Sequence, residues 1–507
     1  MKTTLFLILF FGLFTNSYSQ TAEEFVINGN AKYDLQNFRG AIEDYSKAIE
    51  INPNLAEAYY NRGVAKEDLQ NFRGAIEDYS KAIEINPNDA EAYNNRGLAK
   101  KDLQDFRGAI EDYSKSIEID NNKAEAYYNR GNAKIDLQDF RGAIEDYNKA
   151  IEINPNLAEA YYNRGNAKID LQDFRGAIED YSKAIKIDTN KAEAYYNRGL
   201  AKENLQNFRG AIEDYNKAIE INPNLAEAYN NRGYAKEDLQ DFRGAIEDYN
   251  KAIKINPNYA EAYKNRGDAK EDLQNFRGAI EDYSKAIEIN PNLADAYYNR
   301  GNAKEDLQNF RGAIEDFNKA IEINPNFAEA YFNRGAAKKD LQNFRGAIED
   351  YNKAIEINPN LAEAYNNRGL AKEDLQDFRG AIEDYSKSIE INPNYADAYI
   401  NRGLAKYELQ DFRGAIEDYS KAIEINPNYA EAYYNRGNAK FELQDFRGAI
   451  EDYSKSIEIK PNDAKAYNNR GIAKINLGQK DSGCLDLSKA GELGSSSAYE
   501  AIKELCN

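Results

Sequence analysis

The chain has 507 residues, of which 66 are Lys or Arg and 86 are Asp or Glu, giving a formal net charge of −20, with no His and no Trp. That length is too great for one hydrophobic core, while 30 % charged and 42 % hydrophobic residues is an ordinary composition for a water-soluble protein. A surface this acidic repels phosphate backbones and anionic lipid heads, which argues against nucleic acid as a partner, and the missing His removes the commonest general base and metal ligand.

The chain opens "MKTTLFLILFFGLFTNSYSQ". Lys2 precedes an apolar stretch from Leu5 to Phe14, and Ser17 and Ser19 follow as small residues at a cleavage site. The pattern predicts a secretory signal peptide over residues 1–19 and export to the periplasm or the cell exterior. The stretch is too short to span a bilayer, no Cys follows it to take a lipid, and no later segment could cross a membrane.

From Ala22 a 34-residue period takes over, and the heptapeptide "FRGAIED" recurs from Phe38 to Phe446. Fourteen repeats fill residues 22–497. In the repeat at 124–157, "AEAYYNRGNAKIDLQDFRGAIEDYNKAIEINPNL", two helical stretches are separated by a break near "LQD". Asn122 and Glu125 have the spacing of a capping box for the first helix, A. Asp139 is the expected N-cap of the second, B, which ends before Pro155. All 11 prolines fall at position 32, where Asn121 and Thr189 stand in two repeats. Ile144, Tyr147 and Ile151 share a face of helix B; Ala126, Ala133 and Leu137 share one of helix A. Gly131 and Ala143 allow close helix approach, and Glu145 with Lys149 makes an outward i, i+4 pair. About seven large apolar side chains at roughly 1.5–3 kcal/mol each cannot offset backbone ordering at about 1–2 kcal/mol per residue, so a repeat needs neighbours.

An aromatic at position 4, Gly at 8, Ala at 20, an aromatic at 24, Ala at 27 and Pro at 32 stand here as Tyr127, Gly131, Ala143, Tyr147, Ala150 and Pro155. This pattern resembles the tetratricopeptide repeat (TPR) over residues 22–497. The resemblance implies an all-α, right-handed superhelical solenoid whose concave groove is lined by helices A. Two positions depart from the family. Arg130 stands at position 7 for the usual Leu, and Lys134 at 11 for the usual Tyr. These like charges need an acidic partner, for which Asp146 is the candidate. The ends differ too: Phe25, Val26 and Ile27 replace Tyr-x-Asn in repeat one, and repeat fourteen reads "KDSGCLDLSKAGELG". Residues 498–507 place Tyr499, Ile502, Leu505 and Cys506 on one face of an expected capping helix.

Overlaying the repeats shows where they differ. Position 5 carries Tyr60, Asn94, Tyr128, Tyr162, Tyr196, Asn230, Lys264, Tyr298, Phe332, Ile400 and Tyr434. Position 9 runs through Val64, Leu98, Asn132, Tyr234, Asp268 and Ala336, and position 12 through Glu67, Lys101, Ile135, Glu203, Tyr407 and Phe441. Spacings of four and three put all three on one stripe of helix A, the groove stripe of the family.

Position 6 is Asn in repeats two to fourteen: Asn61, Asn95, Asn129, Asn163, Asn197, Asn231, Asn265, Asn299, Asn333, Asn367, Asn401, Asn435 and Asn469. Side-chain amides at this spacing match peptide groups and are similar to the asparagine ladder of O-linked N-acetylglucosamine transferases. The alternative is that each amide satisfies a neighbouring repeat. The family's clamp for acidic C-terminal tails is missing, because position 2 is acidic until Lys465 and Lys264 is paired with Asp268 at position 9. Glu at 2 and Asp at 13 predict a groove for neutral or basic segments.

No nucleophile or phosphate loop accompanies the scattered carboxylates, so no enzyme, cofactor or specific metal site is expected. Cys484 and Cys506 are the only cysteines and are expected to form a disulfide in an exported chain. The sequence thus predicts a non-enzymatic scaffold that binds extended peptide or protein segments, with glycan binding by groove Tyr and Asn as the alternative.

Overall fold

The structure, a computed structural model, describes residues 20–506. The expected signal peptide lies outside the described residues. Among those residues the chain is all-helical, with 29 α-helices and a final π-helical turn, and no helix is long and apolar enough to cross a membrane. The chain divides into two compact units, residues up to 244 and from 245 onward. Within each unit helices alternate as A and B. Helix A packs on helix B of its own repeat and on helix B of the preceding one, and successive helices A also meet, forming a row.

The repeat at 124–157 illustrates why. Helix A spans Ala124–Asp136 and helix B Phe140–Ile153. Gln138 between them has φ 61°, and the equivalent Gln of every repeat up to Gln444 lies between 58° and 63°. Its N–H donates to the Ile135 carbonyl and that of Asp139 to the Lys134 carbonyl, which closes the helix end in a Schellman motif built on Gln rather than Gly. Asp139 then caps helix B by accepting from the Gly142 N–H at 3.0 Å, as expected.

The capping box expected at Asn122 and Glu125 does not form. Lys123 occupies the N-cap without a side-chain capping bond, its ammonium pairing with Glu91 instead, and the Asn122 N–H donates to the Asp120 carboxylate at 3.0 Å. The Asn stands one residue too early to cap. A capping box is found at the first helix, between Thr21 and Glu24, and Asp89 and Asp463 cap their helices at position 34. Leu137 also departs from expectation: it sits at the C-cap, 42 % exposed, off the core face.

The core is built from small residues around one ring per repeat, or around Leu487 in the last. Ala126, Ala133, Ala143, Ala150 and Tyr147 are fully buried. Gly131 is required for that packing, because a Cβ there would lie 2.7 Å from Cε1 of Tyr147. Full burial of such a ring contributes roughly 1.5–3 kcal/mol.

A charged network crosses this core. Asp146, 3 % exposed, accepts from Arg130 Nε at 3.0 Å and Nη2 at 2.6 Å and pairs with Lys134 Nζ at 2.7 Å. Arg130 Nη1 donates to Ser114 of the preceding repeat at 3.0 Å, and its guanidinium lies over the Tyr127 ring at 5.6 Å. Both departures from the family residues therefore converge on the partner expected for Arg130. The arrangement recurs from Arg62 to Arg198 in one unit and from Arg266 to Arg470 in the other.

At the C-terminal end Cys484 is bonded to Cys506, with 5.9 Å between Cα atoms. The capping element differs from the expected helix. It begins earlier, at Ser496, runs as α-helix only to Ala501 and winds as a π-helix over Ile502–Cys506. The expected apolar face does not form: Ala498 is buried, whereas Tyr499 and Leu505 are exposed. The Tyr499 hydroxyl instead donates to the Gly491 carbonyl at 3.1 Å.

Candidate functional site: the helix A row

Hollows recur along the row of helices A at fixed repeat coordinates. One of about 190 Å³ is lined by Asn132, Ile135, Asp136 and Tyr147 of one repeat and by Asn163 and Asn166 of the next. One of about 420 Å³ has Asn30, Tyr33, Asp34 and Tyr45, then Asn61 and Val64. One of about 250 Å³ has Asn438, Phe441, Glu442 and Tyr453, then Asn469 and Ile472. Positions 9, 12, 13 and 24 of one repeat thus meet 6 and 9 of its successor. Position 5 lies in a second line of hollows nearer the loops, where Tyr434 and Asn435 meet Glu431, Asp463 and Lys465, and where Lys264 meets Glu261 and Asp295.

The structure assigns the position 6 amides to the joints between repeats. Asn163 Nδ2 donates to the Tyr128 hydroxyl at 3.1 Å and to Asn132 Oδ1 at 2.9 Å, and Asn197 treats Tyr162 and Asn166 in the same way, at 3.0 and 3.1 Å. Asn333 bonds Tyr298 and Asn302, and Asn469 bonds Tyr434 and Asn438. Asn95 donates to Tyr60 and Asn231 to Tyr196. Where position 5 is Asn, its carbonyl accepts instead: Asn129 donates to Asn94 and Asn401 to Asn366. Asn61 and Asn299 use position 9, at Asn30 and Asp268. The donors expected to grip a partner's backbone are therefore turned toward the preceding repeat in these copies. The tyrosines at position 5 serve as their acceptors. Asn435 is different, because Ile400 stands at position 5 before it and its Nδ2 is buried without a partner.

Sequence reasoning missed the tyrosine at position 24. Its ring is core, but its hydroxyl reaches the floor of the hollow. Tyr147 donates to Asn132 Oδ1 at 2.8 Å, Tyr79 to the Glu67 carboxylate at 2.7 Å and Tyr215 to that of Glu203 at 2.7 Å. The available signal was the choice of Tyr over Phe at a buried position, since a buried hydroxyl needs a partner. Burial raises the pKa of the position 12 carboxyls of Glu67, Glu203, Glu271 and Glu373, and the tyrosine bond partly opposes it. In repeat nine Phe317 replaces the tyrosine. Glu305 is left without that bond, and burial, with Asp340 and Asp306 close by, pushes it up to about 7. Lys264, the one cation at position 5, is tied to Asp268 at 2.8 Å, so the clamp for acidic tails is not formed there.

Models described as TPR repeat match residues 29–70, 100–137, 131–172, 165–206, 267–308 and 405–444. Models described as tetratricopeptide repeat match 56–89, 192–225, 226–259, 294–327, 328–361, 362–395 and 430–463, and a further one matches 79–111 and 453–484. The chain belongs to the tetratricopeptide-repeat family. Among solved structures, the crystal structure of MamA is 30 % identical over 35 % of this chain and 94 % of that one, with a TM-score of 0.32. The crystal structure of YrrB, described as a TPR protein with an unusual peptide-binding site, is 26 % identical over 37 % and 96 %, with a TM-score of 0.35. The APC/C hetero-tetramer Cut9-Hcn1 is 15 % identical over 96 % and 97 %, with a TM-score of 0.39. No curated protein sequence matches the chain. The TPR fold supports a role as a protein–protein interaction scaffold in general.

Proposed function

We propose that this TPR chain is an exported, non-enzymatic scaffold whose helix A row binds an extended, neutral to basic polypeptide segment, in the periplasm or outside the cell. The observation that carries this reading is the hollow that returns at the same repeat coordinates in both units. Each is walled by the position 6 amides and floored by the position 24 hydroxyls, so the variable side chains at 9 and 12 set what it accepts. The carboxylates at 12 and 13 give the row its sign; burial and the negative charges of Asp340 and Asp306 disfavour the charged form of Glu305, which a cationic segment relieves. Many weak contacts along one segment add through effective concentration, which is what repetition supplies.

Parallel peptide and glycan arrays test this reading. The expected result is retention of peptides, those rich in Lys or Arg above those rich in Asp or Glu. Retention of glycans with no peptide bound transfers the site to sugar recognition by Tyr and Asn.

A further inference from the structure

Repeats twelve and thirteen differ from their neighbours on the row. They carry Tyr407–Glu408 and Phe441–Glu442 at positions 12 and 13, where repeats eight, nine and eleven read Glu–Asp. The rings of Tyr407 and Phe441 and the Glu442 carboxylate line one hollow with Asn438, Asn469 and Ile472. Its volume, about 250 Å³, is below the roughly 300–1,000 Å³ of a small-molecule site and suits a single side chain. No basic residue lines it. The nearest lysine along the helix, Lys440, is held by Asp452 at 2.7 Å, and Arg470 by Asp486 at 2.8 Å, so neither neutralises Glu442.

The preceding joint, between repeats twelve and thirteen, is also unusual. The Tyr419 hydroxyl and Asn435 Nδ2 are both buried without a hydrogen-bond partner, with Tyr419 0 % and Asn435 9 % exposed. In several other repeats a Tyr, Asn or carboxylate at position 5, 9 or 12 serves these groups, although the Tyr113 and Tyr351 hydroxyls are likewise without a partner. Here Ile400, Leu404 and Tyr407 stand in those places, and Tyr407 packs on the same buried cluster as Tyr419. The hollow itself combines aromatic walls with a carboxylate that no base neutralises, Glu442 accepting from the Tyr407 hydroxyl at 3.4 Å.

Resting on the polypeptide-binding reading above, we propose that this hollow is a specificity subsite for one arginine or lysine side chain of the bound segment, held between the Tyr407 and Phe441 rings and paired with Glu442. A cation over an aromatic face is attracted by the ring quadrupole, the more so when water is partly excluded, and the carboxylate fixes its head group.

The chain has no Trp, so Phe441→Trp places a single indole in the hollow and keeps its aromatic wall. Two probes are titrated into this variant: a short Ser/Gly/Ala peptide with one central Arg, and the same peptide with norleucine. The Arg peptide is expected to change indole emission saturably and to bind about tenfold more tightly than the norleucine peptide. Adding Glu442→Gln is expected to remove most of that preference. Anisotropy of the same labelled peptides on the unsubstituted chain and on Glu442→Gln alone gives a readout that does not depend on the new indole. Equal affinity for Arg and norleucine, or peptide binding that leaves the indole silent, overturns the subsite while leaving the groove reading intact. If labelled peptides of neither kind bind the unsubstituted chain, the subsite falls, while the groove reading, which rests on many contacts along a longer segment, is decided by the peptide arrays.

Discussion

Replacing Asp282 by Ala is expected to destabilise the solenoid around repeat eight by about 3–5 kcal/mol. Asp282 is buried and accepts from Arg266 Nε at 2.8 Å and Nη2 at 2.5 Å, and it pairs with Lys270 Nζ at 2.6 Å. Removing it leaves two like charges one helical turn apart, desolvated, with no counterion. Arg266 also donates to Asn250 of the preceding repeat at 2.5 Å and lies over the Tyr263 ring at 5.3 Å, so the loss spreads to a joint between repeats. Neighbour interactions carry much of a solenoid's stability, and the urea transition of Asp282→Ala is expected to shift down or split. Replacing the three charges together, by Arg266→Leu, Lys270→Tyr and Asp282→Leu, is expected to be neutral or stabilising, because the desolvation of the ions disappears with them. A cost below about 1 kcal/mol for Asp282→Ala would mean that water reaches the network freely.

Phe317→Tyr is expected to lower the pKa of Glu305 and to stabilise the protein above pH 7 by about 1–2 kcal/mol, the worth of a hydrogen bond to a charged group. Tyr283 bonds the equivalent Glu271 at 2.7 Å, and the new hydroxyl would occupy the same place. The folded carboxyl titrates at about 7 against an ordinary 4.5. Between those values the folded state holds the proton more tightly than the unfolded chain. This group's contribution is therefore fully present below about 4.5 and is lost as pH rises through 7. The added hydroxyl should reduce that loss and make little difference below 4.5, where Glu305 is neutral in both states. Carboxyl NMR titration of Glu305 with melting curves on either side of the window checks both parts. An unmoved titration with unchanged melting would show that the hydroxyl finds another partner, Asn302 being the nearest rival at position 9.

The fold was legible because its signals were local and repeated. Tyr147, Gly131 and the alanines give the interhelical packing at helical spacing, and Pro155 marks the end of helix B. The Arg130–Asp146 pair was legible from charge arithmetic alone. Four things were not. Gln138 is a residue of no turn preference placed in a left-handed position by the helices on either side, so no composition rule finds it. Asn122 has capping-box spacing but stands one residue out of register, which only backbone geometry reveals. The position 6 amides satisfy hydrogen-bonding arithmetic equally well toward a ligand or toward the preceding repeat. Choosing between those needs the distance from Asn163 to Tyr128 and Asn132, which spans two repeats. The π-helical turn at Ile502–Cys506 likewise follows from tertiary context at the chain end, beside the Cys484 bond.

The central claim is that the helix A row reads an extended segment through many weak contacts. It is tested most directly by the affinity of unstructured Lys-containing peptides as their length grows from one repeat's span to several, at low and high salt. The account predicts that affinity rises steeply with length, weakens as salt screens the carboxylate row, and is lost when Lys is replaced by Glu. Affinity that is independent of length and of the sign of the peptide's charge would contradict it.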